Sequence, residues 1–329
     1  FFAISPIIII RGTVGWFKSE PLGLFYGLLA VYLLLSAIKS DKGKVSVAKI
    51  VGAGILLSFG IASWGGIQFF ILPIGLFFVA LPFLRKDKKF IVWTSIIFTS
   101  VFLVATISFD LITTILERNP VVTGLAVISS LNGLFLIGCT TFLVTYVLIK
   151  NIIKKQLRSG LALLGGAIIA GIVILSSNIV DLPAFRYLNA ANPFLITTNV
   201  LTDSVSEHAT TTIDTSFYFF SVLMIFAGIG AWLLFQKRVN RSLKIKGEMA
   251  AFALIIGFLG IYFSSAFVRL EVFGAISVII LSSIGISILI SKILKDGHKP
   301  KSVVIKISFL AIIVALLMVP MAYPEKLNW

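Results

Sequence analysis

The sequence contains very few of the residues that form cross-links or bind transition metals. Its 329 residues include one cysteine and two histidines. A single thiol, Cys139, excludes an intrachain disulfide framework and a thiolate metal site. Three such residues are also too few for the four Cys or His ligands of a structural zinc site. The candidates for chemistry are therefore carboxylates and cationic side chains.

Charge is scarce as well, and this scarcity points to a membrane. Charged residues make up 12% of the chain and apolar residues 58%, whereas soluble domains average about 25% charged residues. The mean hydropathy is +1.08. The net charge of +15 lies in short clusters between apolar runs, and no basic face interleaved with aromatic residues appears, so we expect no nucleic-acid partner. The composition predicts a polytopic membrane protein surrounded by membrane lipids.

Apolar windows divide the chain into spans of the length that a bilayer requires, about 17 to 25 residues. We predict an all-α transmembrane helical bundle of about ten spans. The windows fall at 22–38, 46–62, 66–84, 91–109, 121–149, 160–179, 216–235, 248–267, 271–291 and 303–321.

The basic residues alternate sides along these spans. The loops after the odd-numbered spans hold 22 of the 28 Lys and Arg residues, and the other side holds six. By the positive-inside rule, the basic loops are cytoplasmic. Nine of the 13 acidic residues lie on the opposite side, so we expect the active face to be extracytoplasmic.

The chain begins within an apolar stretch, Phe1 to Ile10, which is too short to span a membrane alone, and it has no initiator Met. We therefore expect a larger protein around it. The predicted organisation is an outer loop containing Glu20, six spans, a long external loop, four spans and the start of a further domain. Their ranges are 1–21, 22–180, 181–214, 215–322 and 323–329.

The external loop 181–214 is too long for an ordinary connection, and loops of that length are usually functional or disordered. It carries Arg186, Tyr187, Glu207 and His208. Its apolar residues favour a loop that lies against the membrane face and orders around a ligand. For Glu207 two interpretations stay open, a solvated loop carboxylate and a functional one.

Two further charged residues are candidates on the same face. Arg269 lies between two spans with almost no loop, where its planar fork of donors suits a lipid-linked phosphate. The alternative is an interfacial anchor that snorkels or pairs with Glu271. Glu20 begins the first complete span, where the helix dipole favours an anion, and a simple cap is the alternative.

Four segments together resemble the catalytic subunit of oligosaccharyltransferase, and most closely the archaeal single-subunit enzymes. The most specific is Asp203-Ser-Val-Ser-Glu207-His208, which is similar to the external-loop motif of that family. The others are Phe185-Arg-Tyr-Leu-Asn-Ala-Ala-Asn-Pro193, Tyr262 to Leu270 and Ser63-Trp-Gly-Gly66. The resemblance implies the GT-C type glycosyltransferase fold, with the ten spans as the fourth to thirteenth of thirteen.

The resemblance also implies an activity, namely transfer of a glycan from a dolichyl or other polyprenyl phosphate or pyrophosphate to Asn in Asn-X-Ser/Thr. The partners would be the lipid-linked oligosaccharide and the acceptor polypeptide, in the plasma membrane. The catalytic residues would be Glu207, Glu20 and Arg269, with Mn²⁺ or Mg²⁺ held by Glu207 and Glu20. Arg269, His208, Lys18, Arg186 and Tyr187 would bind substrate.

The sequence departs from the family pattern at the second acidic motif. Lys18 stands where the first of two acidic residues is expected, and only Glu20 remains. Either an acidic motif outside this chain completes the metal site, or Lys18 neutralises phosphate, or activity is reduced, as in a pseudoenzyme. Two other classes stay open. One is a polyprenyl-phosphate-sugar glycosyltransferase with a different acceptor. The other is a transporter, which the small number of charged residues within the spans disfavours, because charges commonly line a pathway across the bilayer.

Overall fold

The structure is a computed structural model, and all of its regular secondary structure in the described residues is helical. Nine α-helices run through this part of the chain. They are α1 (Glu20–Ser40), α2 (Lys44–Ser63), α3 (Ile71–Leu84), α4 (Lys88–Ile115), α5 (Leu131–Lys150), α6 (Gln156–Ser176), α7 (Leu223–Phe235), α8 (Gly247–Ser264) and α9 (Glu271–Lys295). The described residues are 5, 7–9, 19–40, 43–115, 131–150, 156–176, 211–212, 216, 219–220, 222–236, 245–295, 304, 307–312 and 314–315.

The helices agree with the predicted spans. Six helical segments in the described residues are long and apolar enough to cross a membrane, and three further apolar helices are shorter. The fifth and seventh windows begin at 121 and 216, and their described helices are α5 from Leu131 and α7 from Leu223. Ser216, Phe219 and Phe220 are also helical, and the starts of these two spans stay predictions. Residues 121–130 and most of the tenth window lie outside the described residues. The chain is a multi-pass membrane protein, and the number of ten spans stays a prediction.

The chain divides into two compact units, of which one is Phe17–Phe185. In this N-terminal unit, α1 packs along α2, and hydroxyl groups join α2 to α4 and α4 to α5. Ser58 of α2 donates to the carbonyl of Phe102 on α4 at 3.1 Å and shares a 3.0 Å hydrogen bond with Thr106. Thr99 on α4 and Thr140 on α5 share a 2.8 Å bond. These bonds fix the register between helices whose other contacts are apolar.

The other unit consists of Phe1–Trp16 and Arg186–Trp329. In this C-terminal unit, α9 packs against both α7 and α8. Small residues allow the close approach: a Cβ added at Gly285 would lie 2.5 Å from the carbonyl oxygen of Phe226 on α7. On its other side α9 is joined to α8, because Ser277 donates to the Ile256 carbonyl at 2.7 Å. The first residues of α9 therefore have a fixed position relative to the end of α8.

Candidate functional site

Arg269 lies in a short turn between two membrane helices, as the sequence predicts. α8 ends at Ser264, and a single 3₁₀ turn, Val268–Leu270, leads directly into α9 at Glu271. The turn is closed by a 2.9 Å bond from the Leu270 N–H to the Phe267 carbonyl. With six residues between the two α-helices, the Arg269 backbone has little freedom to move away from the ends of α8 and α9.

Two apolar residues shortly before Arg269 are buried, while Arg269 is partly exposed. Ala266 and Val268 are 4% and 7% exposed, and these apolar side chains fix the turn against the unit. The guanidinium of a partly exposed arginine can meet a ligand at the surface and still keep its backbone fixed. This combination suits a group that binds an anion in one orientation, since a guanidinium offers two parallel donors to a phosphate.

Glu271 is the first residue of α9, and it is fully buried, with 0% exposure. The Ser216 hydroxyl donates to its Oε1 at 3.5 Å. A helix N-terminus stabilises a nearby carboxylate because the backbone N–H groups there carry partial positive charge. From the sequence, Glu271 is expected only as a partner for Arg269. Its burial has no signal in the sequence, because acidic residues are favoured in the first turn of a helix whether or not they are buried.

A second connection reaches the end of α8 from the C-terminal end of the long loop. The Thr211 hydroxyl donates to the Ser264 carbonyl at 2.7 Å. The last four carbonyls of a helix lack intrahelical partners, so Thr211 supplies one from outside the helix. Thr211 could not be predicted as part of the site, because nothing in the sequence pairs a loop threonine with a helix end 53 positions away.

Glu20 begins α1, which confirms its predicted place at the end of the first span in this chain. The first helical bond runs from the Gly23 N–H to the Ser19 carbonyl at 3.0 Å, so Ser19 is the residue that precedes the helix. Glu20 is 3% exposed, more buried than a simple solvent-facing cap would be. It lies in the N-terminal unit, whereas Arg269 lies in the C-terminal unit. Their convergence on one cavity stays a prediction.

The remaining predicted site residues, Glu207, His208, Lys18, Arg186 and Tyr187, lie outside the described residues. Within the residues that are described, no group of three or more His, Cys, Asp or Glu side chains could hold a metal ion. Of the predicted Mn²⁺ or Mg²⁺ ligands, only Glu20 can therefore be placed. Its hard oxygen donors fit either ion, and one carboxylate alone does not make the site.

The segment Ser63-Trp-Gly-Gly66 forms the short connection between α2 and the next helical segment. α2 ends at Ser63, Trp64 is extended and a 3₁₀ segment begins at Gly65. The Trp64 side chain is 8% exposed. Its ring covers Gly66, where an added Cβ would come within 2.5 Å of the ring.

Comparisons with known proteins agree with the resemblance. No protein-family model matches the chain. The chain is 25% identical over 308 residues to the dolichyl-diphosphooligosaccharide–protein glycosyltransferase subunit STT3 of Dictyostelium discoideum, a match that covers 91% of this chain and 40% of that protein.

The fold is similar to that of the Archaeoglobus fulgidus oligosaccharyltransferase in its apo form. The TM-score is 0.68 at 18% identity, and the match covers 94% of this chain and 38% of that one. The chain thus spans about two fifths of the length of each. The resemblance predicted from the motifs is confirmed: the chain is similar in sequence to an STT3 catalytic subunit and has the fold of an oligosaccharyltransferase membrane region.

Proposed function

We propose that this chain is the membrane part of an oligosaccharyltransferase. It would transfer a glycan en bloc from a polyprenyl, such as dolichyl, phosphate or pyrophosphate to the Asn amide of Asn-X-Ser/Thr in a protein. The observation that carries the proposal is the Arg269 turn, in which a partly exposed arginine lies between two membrane helices on a backbone fixed by buried neighbours. The sequence similarity to STT3 over 91% of the chain supports it.

Arg269 would bind the phosphate of the lipid-linked oligosaccharide. In the transfer, a bond forms between the amide nitrogen and the anomeric carbon while the bond from that carbon to the phosphate oxygen breaks. The amide loses a proton, the phosphate leaves with the electron pair, and the anomeric carbon is inverted. A guanidinium at the leaving phosphate stabilises the charge that develops there, which is often the largest contribution to catalysis.

Glu207 and Glu20 would hold a divalent cation, and Glu207 would orient the acceptor amide. Carboxylate donors without thiolates fit Mn²⁺ or Mg²⁺, and the bound ion would supply electrostatic stabilisation for the acceptor site. Lys18, protonated and so not a ligand, would neutralise carrier phosphate together with His208, Arg186 and Tyr187. Completion of the metal site then needs an acidic group from outside this chain.

The proposed topology puts this chemistry on the extracytoplasmic face of the plasma membrane. The basic loops that are predicted to be cytoplasmic include exposed Lys39, Lys44, Lys86 and Arg158, which lie at the ends of α1 to α6. The loop 181–214 and the Arg269 turn belong to the opposite side. The resemblance to the archaeal single-subunit enzymes fits a reaction at the plasma membrane of an archaeal cell.

The experiment that tests the proposal gives the full-length protein a labelled lipid-linked glycan and two peptides, Asn-X-Thr and Gln-X-Thr. We expect the label on the Asn peptide alone and a loss of transfer when divalent cations are chelated, with recovery on addition of Mn²⁺. Label on neither peptide but on a lipid or free-sugar acceptor would identify another polyprenyl-phosphate-sugar glycosyltransferase. Movement of intact carrier between leaflets without transfer would identify a transporter.

A further inference from the structure

The C-terminal end of the long external loop and the residues directly after it are attached to both ends of the Arg269 turn. Before the turn, the Thr211 hydroxyl donates to the Ser264 carbonyl at 2.7 Å. After the turn, the Ser216 hydroxyl donates to Glu271 at 3.5 Å. The first bond is short and satisfies a carbonyl in the last turn of α8. The second is long, and it reaches a carboxylate that is fully buried.

Close packing holds these two attachments together. A Cβ added at Gly274, in the first turn of α9, would lie 2.6 Å from the Ser264 side chain and 3.1 Å from the Phe220 ring. Phe220 follows Ser216 by four residues and is 4% exposed. The end of α8, the start of α9 and the segment after the loop therefore meet at one buried point. If either hydroxyl group were removed, its partner, the Ser264 carbonyl or the Glu271 carboxylate, would lose a hydrogen bond at a buried position.

The attachments restrict how far the loop motif can lie from the arginine. Glu207 precedes Thr211 by four residues, and four extended residues span at most about 14 Å. Arg269 follows Ser264 by five residues and precedes Glu271 by two. Because both bonds flank the turn, a change at either one alters the distance that the chain allows between Glu207 and Arg269.

We propose that Thr211 and Glu271 are positioning residues that tie the C-terminal end of the external loop to the Arg269 turn. The proposal rests on the proposed function for its catalytic consequence, because it assigns the two residues to the spacing between the acceptor-binding carboxylate and the phosphate-binding arginine. Neither residue touches the reacting atoms. The attachment itself is independent of any activity, and it can be measured separately.

The attachment is tested by hydrogen–deuterium exchange on the full-length protein in nanodiscs. Thr211→Val removes the hydroxyl at nearly constant volume. A lost hydrogen bond of about 1 kcal/mol corresponds to about five-fold, so we expect the amides of residues 211–216 to exchange about five-fold faster. Thr211→Ser restores the hydroxyl and should exchange like the wild type. Thr141→Val, on an exposed position of α5, is the matched control. Unchanged exchange at 211–216 in Thr211→Val would overturn the attachment, whether or not the protein transfers glycan.

The positioning role is tested by a double-mutant cycle on glycan transfer. We expect Thr211→Val and Glu271→Gln each to lower kcat for transfer by about five-fold or more, with Thr211→Ser restoring the rate. Glu248→Gln, in the first turn of α8, is the control for the charge change. In an Arg269→Lys background the Thr211→Val effect should shrink to less than two-fold, because a positioning residue acts through the residue that it positions. Full additivity would overturn the positioning role. A wild-type protein without transfer would refute the proposed function instead, and the exchange result would stand.

Discussion

Replacement of Gly230 by alanine should separate α7 from α9. Gly230 lies where α7 crosses α9, and an added Cβ would lie 2.9 Å from the Leu281 carbonyl carbon and closer still to its oxygen. Ordinary van der Waals contact begins at 3.4 Å, so the helices must move apart by at least about 0.5 Å. A gap of that size already removes about a quarter of the dispersion energy of each contact between the two helices. The obstacle is backbone, which has no rotamer that could relieve the clash.

The magnitude follows from a comparison with Gly228 on the same helix, where an added Cβ meets no atom within 4 Å. Both substitutions gain the helix propensity of alanine, about 1 kcal/mol, so this contribution cancels between the two variants. What remains is the steric cost, about 1 to 3 kcal/mol for an overpacked site. At 2 kcal/mol, and with an unfolding entropy of about 2.1 cal/mol/K per residue over the 329 residues, the apparent Tm of Gly230→Ala should lie about 3 °C below that of Gly228→Ala.

The assay is thermal unfolding of the purified full-length protein in one detergent, followed by intrinsic tryptophan fluorescence. Because α9 begins at the Arg269 turn, Gly230→Ala should also lower glycan transfer at temperatures below its transition, while Gly228→Ala should not. Equal transition temperatures for the two variants would refute the close crossing of α7 and α9, and with it the fixed position of the Arg269 turn.

Two further predictions concern buried polar groups of the N-terminal unit. Arg85 is 8% exposed and donates to the Ile38 carbonyl at 2.7 Å. Arg85→Leu should therefore lower the free energy of unfolding by about 1.5 to 3 kcal/mol, the range for hydrogen bonds to charged groups. If Arg85→Leu were as stable as the exposed control Lys86→Leu, the buried bond would be contradicted. Ser58→Ala removes the hydroxyl shared with Thr106, and we expect a loss of about 0.6 kcal/mol, the mean for interhelical hydrogen bonds in membranes, in denaturation by SDS titration. Ser108→Ala, which removes only an exposed bond within its own helix, should cost less than half of that.

The spans could be predicted from the sequence because a bilayer imposes a length and a polarity on every helix that crosses it. The windows 22–38, 46–62 and 248–267 agree with helices to within a few residues at each end. The starts of the fifth and seventh spans fall wholly or partly outside the described residues and stay predictions. An apolar run shows that a segment can enter the membrane, and it does not show where the helical hydrogen bonds begin.

The candidate site could be predicted only in part. Arg269 and Glu20 lie where the sequence expects them, at the ends of helices, because a charged residue that interrupts two apolar runs has few other places to lie. The burial of Glu271 and the bond from Thr211 to Ser264 could not be derived. Both depend on the packing of segments about 50 residues apart, which hydropathy does not encode.

The central claim is that Arg269 binds the phosphate of a glycan carrier during transfer to Asn. The most direct measurement is the rate of transfer to a labelled Asn-X-Thr peptide as a function of carrier concentration, for the wild type, Arg269→Lys, Arg269→Ala and the exposed control Arg158→Ala. A charge-assisted contact of about 1.5 to 3 kcal/mol predicts a loss in kcat/KM for the carrier of about 10- to 150-fold in Arg269→Ala, a smaller loss in Arg269→Lys, and no loss in Arg158→Ala. Wild-type kinetics from Arg269→Ala would contradict the account.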